Sequence, residues 1–88
     1  MKKLSAKLAE QVRAKTVRVT ANILHVCLDN GREVRVQLNK VPWLKWLAKA
    51  TPKQRANWSL EPGGYAIYWP NLDDGIEVGR LLDSQRIT

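Results

Sequence analysis

The spacing of apolar residues changes from four to two near residue 17, so the chain has a helical and an extended part. Leu4, Leu8 and Val12 recur at every fourth position between charged residues, which predicts an amphipathic helix over residues 3–15. From Val17 onward apolar and polar residues alternate, which predicts β-strands. An isolated helix of this length is marginal in water, so we expect it to dock on the domain or on a partner.

A β-hairpin is predicted between residues 22 and 38. Residues 22–28 have the β-branched and apolar composition of a strand, and residues 33–38 alternate strictly. The turn between them, Asp29-Asn30-Gly31-Arg32, contains residues that adopt positive φ readily. We expect one face of the second strand to be covered and the opposite face to be wet.

Two short helices are predicted after the hairpin. Residues 42–50 begin with a proline and place Trp43, Leu44 and Leu47 on one face. Residues 51–54, Thr-Pro-Lys-Gln, have the form of a capping box, so a second helix is expected to start there and to end near residue 57. The apolar face of the first helix should form one core with the covered face of the sheet, through the residues Val34, Val36, Leu38, Trp43, Leu44 and Leu47.

The remaining pattern predicts a second hairpin and completes the expected fold. Residues 58–60 and 65–69 flank the pair Gly63-Gly64, residues 76–78 can form one more strand, and residues 80–82 a helical turn. The predicted class is α+β: a small, mostly antiparallel sheet covered on one face by a short helix pair, plus the N-terminal amphipathic helix. The expected divisions are the helix at 1–16, a single domain at 17–83 and a tail at 84–88.

Length and composition exclude several kinds of protein. A chain of 88 residues can build one core, and the single Cys27 and single His25 exclude an internal disulfide and a zinc site made of Cys and His alone. No uncharged apolar run approaches the ~18 residues of a membrane span, and charged residues interrupt the start where a signal peptide would be apolar. We therefore expect a cytoplasmic protein without membrane contact.

The charge is distributed unevenly. The net charge is +7, but residues 1–55 carry 13 basic and 3 acidic groups, whereas residues 56–88 carry 2 basic and 5 acidic groups. A basic field attracts nucleic acid or an acidic protein, and it also keeps a small protein in solution, so charge alone does not distinguish these roles. Trp46 lies off the apolar helix face, beside two lysines, where it could stack on an unpaired base. The candidate binding surface is Lys7, Arg13, Lys15, Lys45, Trp46, Lys49, Lys53 and Arg55.

Two groups of residues could carry chemistry, and both have a simpler explanation. His25 and Cys27 share a strand face, but no further His or Cys completes a metal shell, so packing in or on the sheet is favoured. Asp73, Asp74 and Glu77 crowd three carboxylates into five residues, but their spacing matches no calcium loop, and a solvated turn explains them. We assign no catalytic, metal-binding or cofactor-binding residue and expect no enzyme.

Two stretches resemble a bacterial family. They are residues 50–58, Ala-Thr-Pro-Lys-Gln-Arg-Ala-Asn-Trp, and residues 69–78, Trp-Pro-Asn-Leu-Asp-Asp-Gly-Ile-Glu-Val, and they follow the Asp-Asn-Gly-Arg turn in that order. Over residues 17–83 the chain is similar to domain-of-unknown-function family 2442. The resemblance implies a compact α+β domain without known enzyme activity. Some members of that family are fused to a helix-turn-helix, and others are proposed as toxin and antitoxin pairs.

Three functions follow from these observations. The leading expectation is a non-catalytic binding module, a bacterial regulatory or antitoxin-type protein that engages a protein partner. The alternative is nucleic-acid binding through the basic N-terminal half. The third, a small enzyme, rests on His25 and the acidic turn and is the weakest.

Overall fold

The computed structural model describes residues 12–85, and its strands form two antiparallel sheets rather than the single sheet that the sequence predicts. The first sheet consists of β1 (Ala14–Thr20), β2 (Ile23–Leu28) and β3 (Glu33–Gln37) in that order. The second sheet consists of β4 (Ser59–Leu60), β5 (Ala66–Trp69) and β6 (Asp74–Glu77), also in chain order. Each strand pairs with its neighbour in the chain, because the connecting turns are short and the segment between the sheets is helical.

The helical segments lie between and after the sheets. Residues Pro42–Leu44 form a 3-10 turn, followed by α1 (Lys45–Ala48), α2 (Pro52–Ala56) and, after the second sheet, α3 (Val78–Gln85). The single helix predicted over residues 42–50 is therefore interrupted, since Leu44 has the non-helical angles φ −110° and ψ 14°. The capping box predicted at Thr51 is confirmed: its hydroxyl accepts from the Gln54 amide at 3.1 Å, and the Gln54 side chain accepts from the Thr51 amide at 2.9 Å.

The start of the described chain corrects the predicted N-terminal helix. Val12 and Arg13 are irregular, and Ala14 and Lys15 already belong to β1, so the helix predicted to reach residue 15 does not include these four residues. β1 pairs with β2 from Ala14 opposite Leu28 to Thr20 opposite Ile23. This pairing provides hydrogen-bond partners for the backbone of β1, and the spacing of apolar residues gives no information about such partners. The rest of that predicted helix lies outside the described residues.

One core joins both sheets and the helices. Five of the six residues predicted for the core are buried, namely Val34, Val36, Leu38, Leu44 and Leu47. The sixth, Trp43, is half-buried at the margin, where the Arg80 guanidinium carbon lies 4.0 Å from the centre of its ring. The second sheet adds Ile67, Trp69 and Ile76 to the same cluster, so the two sheets are not separate folding units.

Trp69 connects the second sheet to the helices. It is fully buried, its indole Nε1 donates to the backbone carbonyl of Arg55 at 3.0 Å, and its ring meets Trp46 edge-on at 5.7 Å between centroids. These contacts hold α1 and α2 against β5. No helix in the described part of the chain is long and apolar enough to cross a membrane.

Candidate binding groove

An open groove runs between β1 and α2. Its volume is about 380 Å³, within the ~300 to 1,000 Å³ that is usual for binding pockets. One wall is the end of β1 with the following turn, and the other is α2 with the tryptophan after it. The lining residues are Val17, Arg18, Val19, Ala21, Pro52, Arg55, Ala56 and Trp58. Apart from the two arginines, the described residues that line the groove have apolar side chains, with the indole N–H of Trp58 as a further donor.

Within residues 12–85, β1 is an edge strand of the first sheet, and it forms one wall of the groove. The Leu38 amide donates to the Asn22 carbonyl, so the N–H and C=O of Ile23 point away from β3 and toward β1, where Thr20 is the partner. Because hydrogen-bonded and non-hydrogen-bonded pairs alternate, the N–H and C=O of Val19 and Val17 point away from β2. In the part of the chain that the structure describes, no hydrogen bond engages these outward groups. Both residues that present this edge also line the groove.

The opposite wall is held in place by Arg55. Its guanidinium donates to the backbone carbonyls of Leu47 (3.2 Å) and Ala48 (2.7 Å) at the end of α1. It also donates to the Ala21 carbonyl (2.7 Å) and the Asn22 side-chain oxygen (3.1 Å) in the β1–β2 turn. The last carbonyls of a helix lack partners within the helix, so this cation completes the C-terminus of α1 while it ties α2 to the first sheet.

The structure separates the predicted site residues. Lys7 lies outside the described residues. Arg13 is held by Tyr65, with its Nε 3.2 Å from the Tyr65 hydroxyl and its guanidinium carbon 5.2 Å from the centre of the ring, while Lys15 is exposed on β1. Trp46 is half-buried and donates its Nε1 to the Trp43 carbonyl at 3.0 Å, so packing engages its ring.

Three of the predicted lysines, Lys45, Lys49 and Lys53, are exposed on or beside the two short helices. Lys45 lies on α1, Lys49 is the first residue after the end of α1, and Lys53 lies on α2. Within residues 12–85 none of the three forms an ion pair. Arg55, by contrast, is a structural clamp, although it lines the groove. Sequence reasoning grouped these four residues by charge, but the fold gives them two different environments.

The outer face of the first sheet carries a cluster of charges around one carboxylate. Glu33 lies 3.6 Å from the Arg18 guanidinium, 3.3 Å from Arg35 Nε and 3.4 Å from His25 Nδ1. The other nitrogen of His25 is 2.8 Å from the Thr20 hydroxyl. Since Glu33 is shared by two arginines, an excess of positive charge remains beside β1. Cys27 is exposed on this face, which agrees with sheet-surface packing of His25 and Cys27.

The acidic turn is organised by hydrogen bonds. The Tyr68 hydroxyl donates to an Asp73 carboxylate oxygen at 2.7 Å, and the Gly75 amide donates to Asp74 at 2.8 Å. The hydrogen bond to Asp73 is the main cause that raises the pKa of the Tyr68 phenol above 10.0. Among residues 12–85, no three side chains of His, Cys, Asp or Glu come together in a way that could hold a metal ion.

Sequence reasoning missed the apolar residues of the groove. The sequence pattern predicts Val17 and Val19 as strand residues, Pro52 as the first residue of a helix after its Thr51 cap, and Ala56 as part of that short helix. A local signal exists only for Trp58, whose size and position after a helix suggest a partly exposed aromatic. The groove itself follows from the adjacency of β1 and α2, which are more than 30 residues apart in the chain.

The family model described as "Protein of unknown function (DUF2442)" matches residues 14–86. The chain belongs to this family. No curated protein matches it.

Two solved structures have the same fold as this DUF2442 member. A crystal structure of a protein of unknown function from Rhodospirillum rubrum ATCC 11170 has a TM-score of 0.69 and 21% identity, with 83% of this chain and 87% of that chain covered. A solution NMR structure of an uncharacterized protein from Chromobacterium violaceum has a TM-score of 0.71 and 18% identity, with 99% and 81% covered. At these identities the likeness shows the fold alone.

The two stretches that carry the family resemblance have structural tasks in this DUF2442 member. Thr51 caps α2, Arg55 clamps it, and the Asn57 side-chain amide donates to the Asn71 side-chain oxygen. That last bond connects the first stretch to the second, as Trp69 does through the Arg55 carbonyl. The family pattern therefore maintains the wall of the groove.

Proposed function

We propose that this protein is a non-catalytic, cytoplasmic binding module that engages a protein partner in a regulatory or antitoxin-type role. The single observation that carries the proposal is the groove between β1 and α2, in which apolar side chains face a strand edge that has no partner strand within residues 12–85. Apolar area together with free backbone donors and acceptors suits a polypeptide, because a polypeptide offers the same two kinds of group.

The chemistry of the groove favours binding over catalysis. The charged side chains that line it within the described residues are the guanidinium groups of Arg18 and Arg55, which donate hydrogen bonds and attract anions. His25 lies on the other face of the first sheet, in contact with Glu33 and Thr20. The described side chains that line the groove therefore suit holding and orienting a ligand better than transforming one.

A bulky side chain in the groove tests this proposal. Ala56 is exposed, lines the groove and lies on α2, so Ala56→Phe should fill the space without disturbing the core. Lys53→Phe is a matched control, because it adds a phenylalanine to the same helix at an exposed position that does not line the groove. Tagged full-length protein, the two variants and untagged cells are compared by capture from the native host and mass spectrometry.

The expected result is a protein partner that is captured by the wild type and by Lys53→Phe, and that is lost with Ala56→Phe. The complex should persist at high salt, since salt does not screen apolar contact. If all three forms capture the same proteins in the same amounts, or none, the groove is not the site of a protein partner.

Nucleic-acid binding is the second candidate, and the exposed Lys45, Lys49 and Lys53 favour it. Contacts to phosphate should make the logarithm of the affinity fall linearly with the logarithm of the salt concentration. The slope should be roughly −0.9 for each phosphate contacted on duplex DNA, or about −0.7 for each on a single strand. Charge reversal at Lys45 and Lys49 should then flatten the slope. The packing of Trp46 against Trp69 favours phosphate contact over base stacking. Absence of binding to DNA and RNA at low salt would exclude this function.

A further inference from the structure

We propose that the partner contributes an extended segment that alternates acidic and apolar residues and adds to the free edge of β1 as a fourth strand. This inference rests on the proposed function, since it names the kind of segment that the groove would take. It is carried by three features of the structure: the direction of the free backbone groups, the composition of the two faces beside them, and the charge around the edge.

The free groups have the spacing of a strand partner. The outward N–H and C=O groups belong to Val17 and Val19, which are two residues apart, and an added strand uses alternate residues in the same way. Natural sheets usually block an edge with proline, a bulge or a covering element. The irregularity of β1 lies between Ala14 and Thr16, before this stretch, and β1 contains no proline. Within residues 12–85, neither a proline nor a bulge blocks the edge at Val17 and Val19, and α2 stands across the groove from it.

The two faces beside the edge differ in chemistry. Side chains of an added strand would point alternately to the core face, where Pro52, Ala56 and Trp58 form the opposite wall, and to the outer face. On the outer face the charged neighbour is Arg18, which is exposed, and the exposed Lys15 lies in the irregular stretch before it. A segment that fits both faces therefore alternates apolar residues, which enter the groove, with acidic residues, which face the cations.

The positive charge around the groove indicates which kind of segment would bind there. Arg18 shares its carboxylate, Glu33, with Arg35 and His25, and Arg55 is surrounded by carbonyl oxygens without an acidic partner in the described part of the chain. This excess of positive charge disfavours a basic segment as the occupant and favours an acidic one. An acidic segment from another protein is attracted by it.

The test uses amide hydrogen exchange in the full-length wild-type protein, followed by NMR. The probes are two blocked synthetic hexapeptides, one alternating Glu and Val and the other alternating Lys and Val. Near saturation with the Glu-Val peptide, the amides of Val17 and Val19 should exchange at least ~10-fold more slowly, because they acquire partners. The Arg18 amide already points to His25 and serves as the internal control. The Lys-Val peptide should produce no such protection.

Two variants support the measurement. Val19→Pro removes an outward N–H and should abolish protection at Val17, with circular dichroism to verify that the sheet is retained. Arg18→Gln should weaken the binding of the Glu-Val peptide by ~2- to 5-fold, which is the contribution expected of an exposed ion pair. If Val19→Pro unfolds the protein, the wild-type exchange data decide alone.

Several outcomes overturn the inference. Binding of the Glu-Val peptide without protection of Val17 and Val19 would exclude strand addition. Equal binding of both peptides, or of neither at millimolar concentration, would exclude an acidic segment. Protection that grows with protein concentration alone would identify a second copy as the occupant, and protection by a DNA oligonucleotide would identify nucleic acid. If Ala56→Phe nevertheless abolishes capture of a protein partner, the proposed function stands and only the mode of binding is wrong.

Discussion

Arg55 provides the sharpest test of the structure, because its charge and its hydrogen bonds predict opposite results for Arg55→Lys. If Arg55 were one cation of a basic surface, lysine would replace it at little cost. In the structure its planar guanidinium serves four acceptors that lie in different directions, at distances from 2.7 to 3.2 Å. A lysine ammonium on a single stem cannot reach all of them at once.

The expected loss follows from the surroundings of these bonds. Two of them, to the Leu47 and Ala48 carbonyls, are part-buried, and two, to Ala21 and Asn22, are exposed. Taking about 1.5 kcal/mol for each part-buried bond and about 0.5 kcal/mol for each exposed one, the guanidinium contributes about 4 kcal/mol to the free energy of unfolding. Lysine should keep about half, so Arg55→Lys should cost about 2 kcal/mol.

Urea denaturation followed by circular dichroism measures this loss, and thermal unfolding provides a second reading. For a domain of this size, about 2 kcal/mol corresponds to a fall in Tm of roughly 8–16 °C. Lys53→Ala on the same helix is the control and should change stability by less than ~0.5 kcal/mol, since Lys53 is exposed and forms no ion pair within the described residues. An Arg55→Lys variant as stable as that control would refute the clamp.

Three further predictions concern the core, the second sheet and the acidic turn. Leu47 is fully buried, so Leu47→Ala should cost ~2 to 5 kcal/mol in urea denaturation. A Cβ on Gly75 would lie 2.6 Å from the Ile67 carbonyl oxygen, so Gly75→Ala should cost about 3 kcal/mol, whereas Gly31→Ala, with φ +89° and open space, should cost about 1 kcal/mol. The Tyr68 phenol has a raised pKa, so its bond to Asp73 stabilises the fold below pH 10 and is lost as pH rises through that pKa; Asp73→Asn should lower the pKa, measured by tyrosinate absorbance with the other tyrosine changed to Phe.

The elements that sequence reasoning predicted correctly depend on residues close together in the chain. The Asp-Asn-Gly-Arg turn and its two strands, the capping box at Thr51 and the Gly63-Gly64 hairpin each join residues close in the chain, at most 14 positions apart for Ile23 and Gln37. Alternation also identified the covered face of β3, because side-chain direction in a strand follows from position alone. The family resemblance over residues 17–83 agrees with the matched range of 14–86.

The predictions that failed required knowledge of distant partners. The apolar period suggested helix for residues 12–15, but Ala14 and Lys15 join β1, which pairs with β2. The strands of the second hairpin could have extended the first sheet, but they form a separate sheet that joins the same core through residues such as Trp69.

The groove shows the same limit at the functional site. Arg55 reads as one more surface cation until the fold brings the Ala21 carbonyl to it across 34 positions of the chain. The sequence by itself determined the turns, the caps and the sign of the surface charge, because those depend on neighbouring residues and on composition. Only the tertiary structure decided which strand edge is free and what faces it, because that depends on how β1, α1 and α2 pack around one core.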